Sequence, residues 1–198
     1  MSSETFFRKI RAYSRLSERA ENDWADLLEQ KQYGKGSDFI AEGKIPRKAA
    51  FVLKGIFSQH YTAPDGSSVI KYFFPEQRIA ASVSAMLLGK PSAFTITALE
   101  TSLVLEYSFA AFKKLVARHA DIAAFYIRYM EQHWIIEKEP IEISFRNDSA
   151  MTRYANFARE NSQLLKRLKQ HHIASYLGIA PESLSRIKKD LAALAGAA

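Results

Sequence analysis

The sequence predicts an α+β protein, with a strand-rich first half, one long helix and a helical C-terminal domain. Three observations carry that prediction. Between about Tyr33 and Tyr107 glycine recurs at Gly34, Gly36, Gly43, Gly55, Gly66 and Gly89, with short β-branched or aromatic runs between. From about Asp121 large apolar residues recur at helical spacing. Near the end, Gly178 and Pro181 separate two short amphipathic segments, where glycine stops one helix and proline opens the next.

Residues up to about Gln32 read as helical, with Trp24, Leu27 and Leu28 set among charges. AAFVLK, IFSQHYT and VIKYFF read as strands. Pro64-Asp65-Gly66 joins the last two as a hairpin turn, because proline presets φ and glycine permits a positive one. TITAL and SLVLEY read as a further strand pair turned at Glu100-Thr101. Short strands at this spacing predict an antiparallel barrel or sandwich. Ser108 is placed to N-cap a helix, FAAFKKLVARH, whose Phe109, Phe112, Leu115 and Val116 share a stripe.

The longest helix should begin near Asp121 and be kinked or ended at Pro140, which lacks an N–H. Its Ile122, Phe125, Tyr126, Tyr129, Met130, His133 and Trp134 make a stripe too wide for a lone surface helix. The β-domain, a second copy of the chain, or both must cover it, so these seven residues are the candidate homodimer interface. RNDSA, from Arg146 to Ala150, marks a joint. The expected division is a β-domain over 1–119, a dimerisation helix and hinge over 120–146, and a C-terminal helical domain over 147–198.

Composition narrows the function. The 198 residues contain no cysteine, which excludes disulfides, thiolate catalysis and cysteine-ligated metal or iron–sulfur sites. The N-terminal stretch is studded with charge and is not a signal peptide, and no segment approaches ~18 unbroken apolar residues. A cytoplasmic protein without a membrane partner is expected. The net charge is +7, and from Ala150 onward eight Lys/Arg face three acids, against 20 basic and 18 acidic groups before it. A near-neutral front and a basic tail suit a regulatory domain joined to a nucleic-acid reader.

QHHIASYLGIAPESLSRIKKDLAALA, from Gln170 to Ala195, carries the strongest local signal. Ile173 and Leu177 share one helix face, and Ala174 is small enough to let a second helix cross closely. In the second helix Leu184, Ile187, Leu191 and Leu194 form an inward stripe. The opposite face carries Glu182, Ser185, Arg186 and Lys189 at i, i+3, i+4 and i+7. Arginine grips guanine bidentately, glutamate accepts from cytosine N4, and lysine holds phosphate, so this face is the candidate DNA reader. Lys169 and His171 open the first helix as candidate phosphate contacts. An ordinary αα-hairpin with a solvated charged face is the competing reading, and Ala180, a poor N-cap, forgoes ~1 kcal/mol that serine would supply.

On KGSDFIAEG, FVLKGIFSQHY, SSVIKYFFPEQ, ALETSLVLEYS, the long helix and above all IASYLGIAPESLSRIKK, the chain resembles the Crp/Fnr family of transcription regulators over nearly all its length. The resemblance implies a cyclic-nucleotide-binding-type jelly-roll barrel, a dimerising helix and a C-terminal helix-turn-helix. It also implies an inverted-repeat operator in double-stranded DNA and RNA polymerase as a further partner. Glu182-x-x-Ser185-Arg186 matches the E-x-x-S-R set that Fnr-like members use on base edges.

Two departures matter. Nucleotide-binding members cradle the cyclic phosphate with a Gly-Glu pair and an Arg-Ser or Arg-Thr pair, where this chain has Ala81-Ser82 and Ser92-Ala93. A buried phosphodiester without a cation is penalised by several kcal/mol, so cyclic AMP is not the expected effector. The remaining candidate pocket, Ala81, Ser82, Val83, Met86, Ser92, Ala93 and Phe94, either takes an uncharged or apolar effector or is filled with side chains. Aliphatic and methionine stripes favour filling. Second, AALAGAA after the reader cannot supply the two-stranded wing of many winged helices.

No cofactor and no metal is expected. His171-His172 point about 100° apart on a helix, with no third ligand near. Ser-His-Asp spacing, HExxH and a P-loop lysine are all missing. Besides a regulator with a divergent sensor, two readings stay open: a regulator gated by a nucleotide held in a non-standard mode, and an interaction module that has lost DNA reading.

Overall fold

AAFVLK is apolar almost throughout, without the alternation of a half-exposed strand, and the structure gives the reason. In the computed structural model, which describes residues 2–196, this segment lies in strand β3 (Lys48–Lys54) and is buried on both faces. Ala49 and Phe51 pack with helices on one side, and Ala50 and Val52 pack between two sheets on the other. Two compact units result. One comprises the chain up to Tyr61 with Lys71–Ile135, the other Thr62–Ile70 with the chain from Ile136 onward.

The first unit opens with α1 (Ser2–Arg11) and α2 (Glu18–Ala25), the latter N-capped by the Ser17 hydroxyl. Strands β1 (Glu29–Tyr33) and β2 (Asp38–Ile40) precede β3, and β4 (Phe57–Thr62), β5 (Ser68–Phe74) and β6 (Ile79–Ala80) follow it. A short helix, α3 (Val83–Leu88), leads to β7 (Thr95–Ala98) and β8 (Ser102–Ser108). They form two four-stranded sheets in the orders β1-β8-β3-β6 and β2-β7-β4-β5. The expected barrel is therefore an open two-sheet sandwich.

Two further expectations need correction. The helical reading to Gln32 fails after Ala25, because Glu29–Tyr33 pairs antiparallel with β8 as an exposed, polar edge strand. A strand with a single partly buried side chain, Tyr33, leaves no apolar alternation to read. TITAL and SLVLEY are not paired with each other, since β7 and β8 lie in different sheets. The chain crosses between sheets at Glu100–Thr101, where Leu99 N–H donates to the Ile56 carbonyl (2.8 Å) and Ser102 Oγ to the Glu100 carbonyl (2.8 Å).

On the helical side of β3, Phe6, Trp24, Phe51, Tyr107, Phe112 and Phe125 form a continuous core. Trp24 lies 5.1 Å from Phe6, 4.8 Å from Phe112 and 5.2 Å from Phe125, ring centroid to centroid. Helix α4 (Phe109–Arg118) starts as expected, with Ser108 Oγ accepting the Ala111 N–H. Helix α5 (Ala120–Met130) passes into a π-helical turn (Glu131–Ile136), and α6 (Lys138–Asn147) follows. Pro140 thus sits in the first turn of α6, where its missing N–H is tolerated, and the irregularity falls before it.

In the second unit α6 ends at Asn147, Asp148 is extended, and Ser149 Oγ caps α7 (Ala150–Glu160) by accepting the Thr152 N–H (3.1 Å). RNDSA, the expected joint, holds this break between helices, while the two units divide earlier, after Ile135. Helices α8 (Ser162–Leu165), α9 (Gln170–Leu177) and α10 (Pro181–Gly196) complete the described chain. Phe157, Leu164, Leu168, Ile173, Leu177 and Leu184 are buried there. The tip of the β4–β5 hairpin packs in this unit: Ser175 Oγ donates to the Ser68 carbonyl (2.8 Å) and accepts the Ile70 N–H (2.9 Å).

Gly55 is the backbone position with least freedom. Its φ is +103°, and an added Cβ would lie 2.6 Å from Ser102 Cβ and 2.8 Å from Ser102 Cα. Gly55→Ala is expected to destabilise the first unit by about 1–3 kcal/mol, seen as a lower urea midpoint at unchanged m-value. A midpoint equal to the parent's would show that the corner yields.

Candidate functional site

Helix α9 ends where its sequence says it should. Gly178 adopts the left-handed conformation (φ 68°, ψ 36°), its N–H donates to the Ser175 carbonyl (3.2 Å), and Ile179 N–H donates to that of Ala174 (3.0 Å). This pair of bonds is a Schellman cap, which turns the chain sharply and satisfies the last carbonyls. Pro181 opens α10. Gln170 Nε2 then donates to the Pro181 carbonyl (2.9 Å), bringing the N-terminal ends of α9 and α10 together.

That closure sets out the six candidate contacts. Ile173, Ala174 and Leu177 of α9 and Leu184 and Ile187 of α10 are buried, so the opposite face of α10 points to solvent. Glu182, Arg186 and Lys189 are exposed there, with Ser185 half-buried between them. Lys169 and His171 are exposed at the start of α9, beside the beginning of α10. One expectation fails: Leu194 is 63% exposed, because the last turn of α10 runs past the helices that cover its inner stripe.

Two residues that sequence reasoning missed hold this arrangement. Gln170 is one. Arg153 is the other: its guanidinium donates to the carbonyls of Asp148 (2.8 Å) and Leu177 (3.2 Å) and lies 5.2 Å from the Phe145 ring. It ties the joint before α7 to the end of α9. Arg153 therefore adds to the basic count of the tail but spends its charge on backbone carbonyls, as an arginine with five fixed donors can. Nothing in the local sequence separates it from the exposed cations.

The candidate pocket is organised around two serines. Ala81, Ser82 and Ser92 are buried. Ser92 Oγ lies 2.9 Å from Ser82 Oγ and 2.7 Å from the Phe94 carbonyl, and accepts the Phe94 N–H (3.1 Å). The polar groups at the two positions compared with the phosphate grip thus satisfy one another. Met86 packs against both apolar clusters of the unit, and Val83 against the helical one. Phe94 is half-buried with Lys71 Nζ 4.4 Å from its centroid, a cation–π contact. Ala93, expected to line the pocket, is on the surface. Arg78 does not reach toward this site, because its guanidinium lies against the His133 imidazole.

The stripe of α5 divides. Ile122, Phe125 and Tyr129 are covered by their own unit and have no area left for a partner, which corrects their assignment to a dimer interface. Burial also raises the Tyr129 phenol far above the usual tyrosine range. His133 hydrogen-bonds Tyr13 through Nε2 (2.7 Å), and Tyr126 packs 5.8 Å from Phe112. Met130 and Trp134 are partly buried, and Ile127 and Ile135 are 56% and 59% exposed. Sequence reasoning passed over these two isoleucines because the aromatic residues dominate the pattern.

The two antiparallel sheets and the short helix between β6 and β7 fit a cyclic-nucleotide-binding-type jelly roll. Residues 30–119 match the cyclic nucleotide-binding domain family. The fold is shared with FixK2 from Bradyrhizobium japonicum, with a TM-score of 0.72 and 16% identity over 85% of this chain and 86% of that one. It is also shared with the c-di-GMP-responsive global regulator CLP of Xanthomonas campestris, with a TM-score of 0.71 and 12% identity over 89% and 92% of the two chains. A CooA variant from Carboxydothermus hydrogenoformans gives 0.70 and 13%, over 94% and 84%. No curated protein matches the sequence. Among the described residues, no helix is long and apolar enough to cross a membrane.

Proposed function

We propose that the chain is a sequence-specific DNA-binding regulator of Crp/Fnr type, acting as a homodimer and not answering to cyclic AMP. The observation that carries this reading is the two-sidedness of α10. Leu184 and Ile187 are buried against the helices around it, while Glu182, Arg186 and Lys189 project to solvent within its first three turns. Helices α9 and α10, joined by a Schellman cap, are read as a helix-turn-helix whose second helix enters the major groove. Arg186 and Glu182 then read base edges, Ser185 supports them, and Lys189, Lys169 and His171 hold phosphates. RNA polymerase is the partner such a regulator would address.

A second copy of the chain covers Ile127, Met130, Trp134 and Ile135, the part of the α5 stripe that the first unit leaves open. Two reading helices then meet an inverted repeat with half-site centres ~34 Å apart. Equilibrium sedimentation showing only monomer at micromolar concentration would remove the dimer from this reading.

Cyclic AMP is expected to leave thermal stability unchanged, since the hydroxyls of Ser82 and Ser92, at the positions of the missing grip, bond each other. A specific ligand at a hundredfold excess over its Kd adds ~2.7 kcal/mol, so a melting scan with millimolar cyclic AMP and AMP decides the matter. A shift with the cyclic nucleotide alone would establish a non-standard binding mode.

Base reading is tested by a binding series on cognate and scrambled duplexes at several salt concentrations. Arg186→Ala should cost about 1–3 kcal/mol on the cognate duplex and relax preference at one G·C pair. Lys189→Ala should weaken all sequences alike and flatten the salt slope by roughly one unit. Glu182→Ala should lose discrimination more than affinity, because a carboxylate near phosphates repels them. Equal weakening of both duplexes by Arg186→Ala would reassign Arg186 to the DNA backbone.

A further inference from the structure

The helix that stands where a phosphate grip is expected turns two leucines outward. Leu87 and Leu88, the last residues of α3, are 54% and 67% exposed, and Ile45 in the loop before β3 is 53% exposed. The two segments are clasped together by backbone bonds. Gly43 N–H donates to the Ser92 carbonyl, and Ser92 N–H donates to that of Lys44, both at 2.8 Å. Gly89 ends α3 in the left-handed conformation, and Lys90 N–H donates back to the Ala85 carbonyl (3.0 Å). The leucines therefore ride on a fixed support, anchored from inside by the Ser82–Ser92 contact.

Cations flank them. Lys44 and Arg47 lie in the Ile45 loop and Lys90 follows the α3 cap, all three exposed. Among the described residues none of the three is engaged in an ion pair. Three aliphatic side chains at these exposures, on two segments joined at Ser92, offer apolar surface on the order of a few hundred Å2, the size of the largest patch on a typical monomer. A stable dimer buries about 800 Å2 per partner, so the patch is too small for a second copy and suits one short segment.

We infer that this surface, Ile45, Leu87 and Leu88 ringed by Lys44, Arg47 and Lys90, docks a short acidic amphipathic helix of a partner protein. The leucines and isoleucine receive the apolar stripe of that helix, and the cations meet its acidic rim. Charge sets the choice of partner, and the apolar trio supplies the centre from which water is excluded. The site lies wholly in the first unit and does not depend on DNA reading.

The probe is a fluorescein-labelled synthetic helix with leucines on one face and glutamates on its rim, titrated against the full chain by anisotropy. Its comparators are a scrambled peptide of the same composition and vesicles of phosphatidylcholine and phosphatidylserine. Leu87→Ser/Leu88→Ser and Lys44→Glu/Lys90→Glu should each weaken peptide binding by roughly tenfold or more. All four side chains are exposed, and an unchanged urea midpoint confirms that each variant remains folded. Excess duplex DNA should not displace the peptide.

Four results overturn the inference. They are no peptide binding, equal binding of the scrambled sequence, binding that survives Leu87→Ser/Leu88→Ser, and displacement by DNA, which would place the peptide on α10. Vesicle binding that depends on the patch, without peptide binding, would make the surface a membrane contact instead.

Discussion

The fold depends on the two central strands of one sheet, β8 and β3, having both of their faces buried. One face closes against the second sheet through Ala50, Val52 and Val104; the other closes against helices through Phe51, Leu105 and Tyr107. Burial of this kind requires every polar backbone group to be paired, and β3 meets that demand with β8 on one side and β6 on the other. It also fixes the helices, because Trp24, Phe112 and Phe125 have nowhere else to pack. The buried Glu106 is matched by side chains of both neighbouring strands: it accepts from Tyr33 on β1 and from Lys48 Nζ (3.0 Å) on β3.

That constraint accounts for the conversion of the α5 stripe from a presumed interface into a core. A helix with seven large residues on one side has a supply of apolar surface, and the double-sided sheet takes the first share of it. Ile122, Phe125 and Tyr129 go inward, Tyr126 packs at their edge, and Ile127 is left at the surface. The same economy shapes the region around α3. With serine and alanine where a phosphate grip is expected, Ser82 and Ser92 have each other, and a buried hydroxyl so bonded escapes the cost of an unsatisfied polar group.

Legibility in the sequence followed the kind of force at work. Strands that carry apolar residues, β3, β4, β5, β7 and β8, were readable because side-chain burial leaves a pattern. Strand β1, exposed except at Tyr33, left none. Gly178 and Pro181 marked the α9–α10 turn because each residue type has a conformational reason to be there. Sheet membership was hidden, since Glu100–Thr101 can close a hairpin or cross between sheets with the same residues. At the candidate reader, the outward positions of Glu182, Arg186 and Lys189 followed from helical spacing. The supporting bonds of Gln170 and Arg153 depend on groups 11 and 24 residues away in sequence, beyond the reach of any local pattern.

The tip of the β4–β5 hairpin has a consequence for how the chain can be divided. Its residues, Thr62–Ile70, pack in the second unit, although the strands on either side run into a sheet of the first. The main chain therefore passes from one unit to the other three times, so no single cut yields both units whole. A fragment beginning at Ile136 lacks the backbone groups that Ser175 engages, and a fragment ending at Ile135 carries a hairpin tip without its hydroxyl partner. Separately expressed halves would each be incomplete, and amide exchange at Ile70 reports on helix α9 as much as on its own strand.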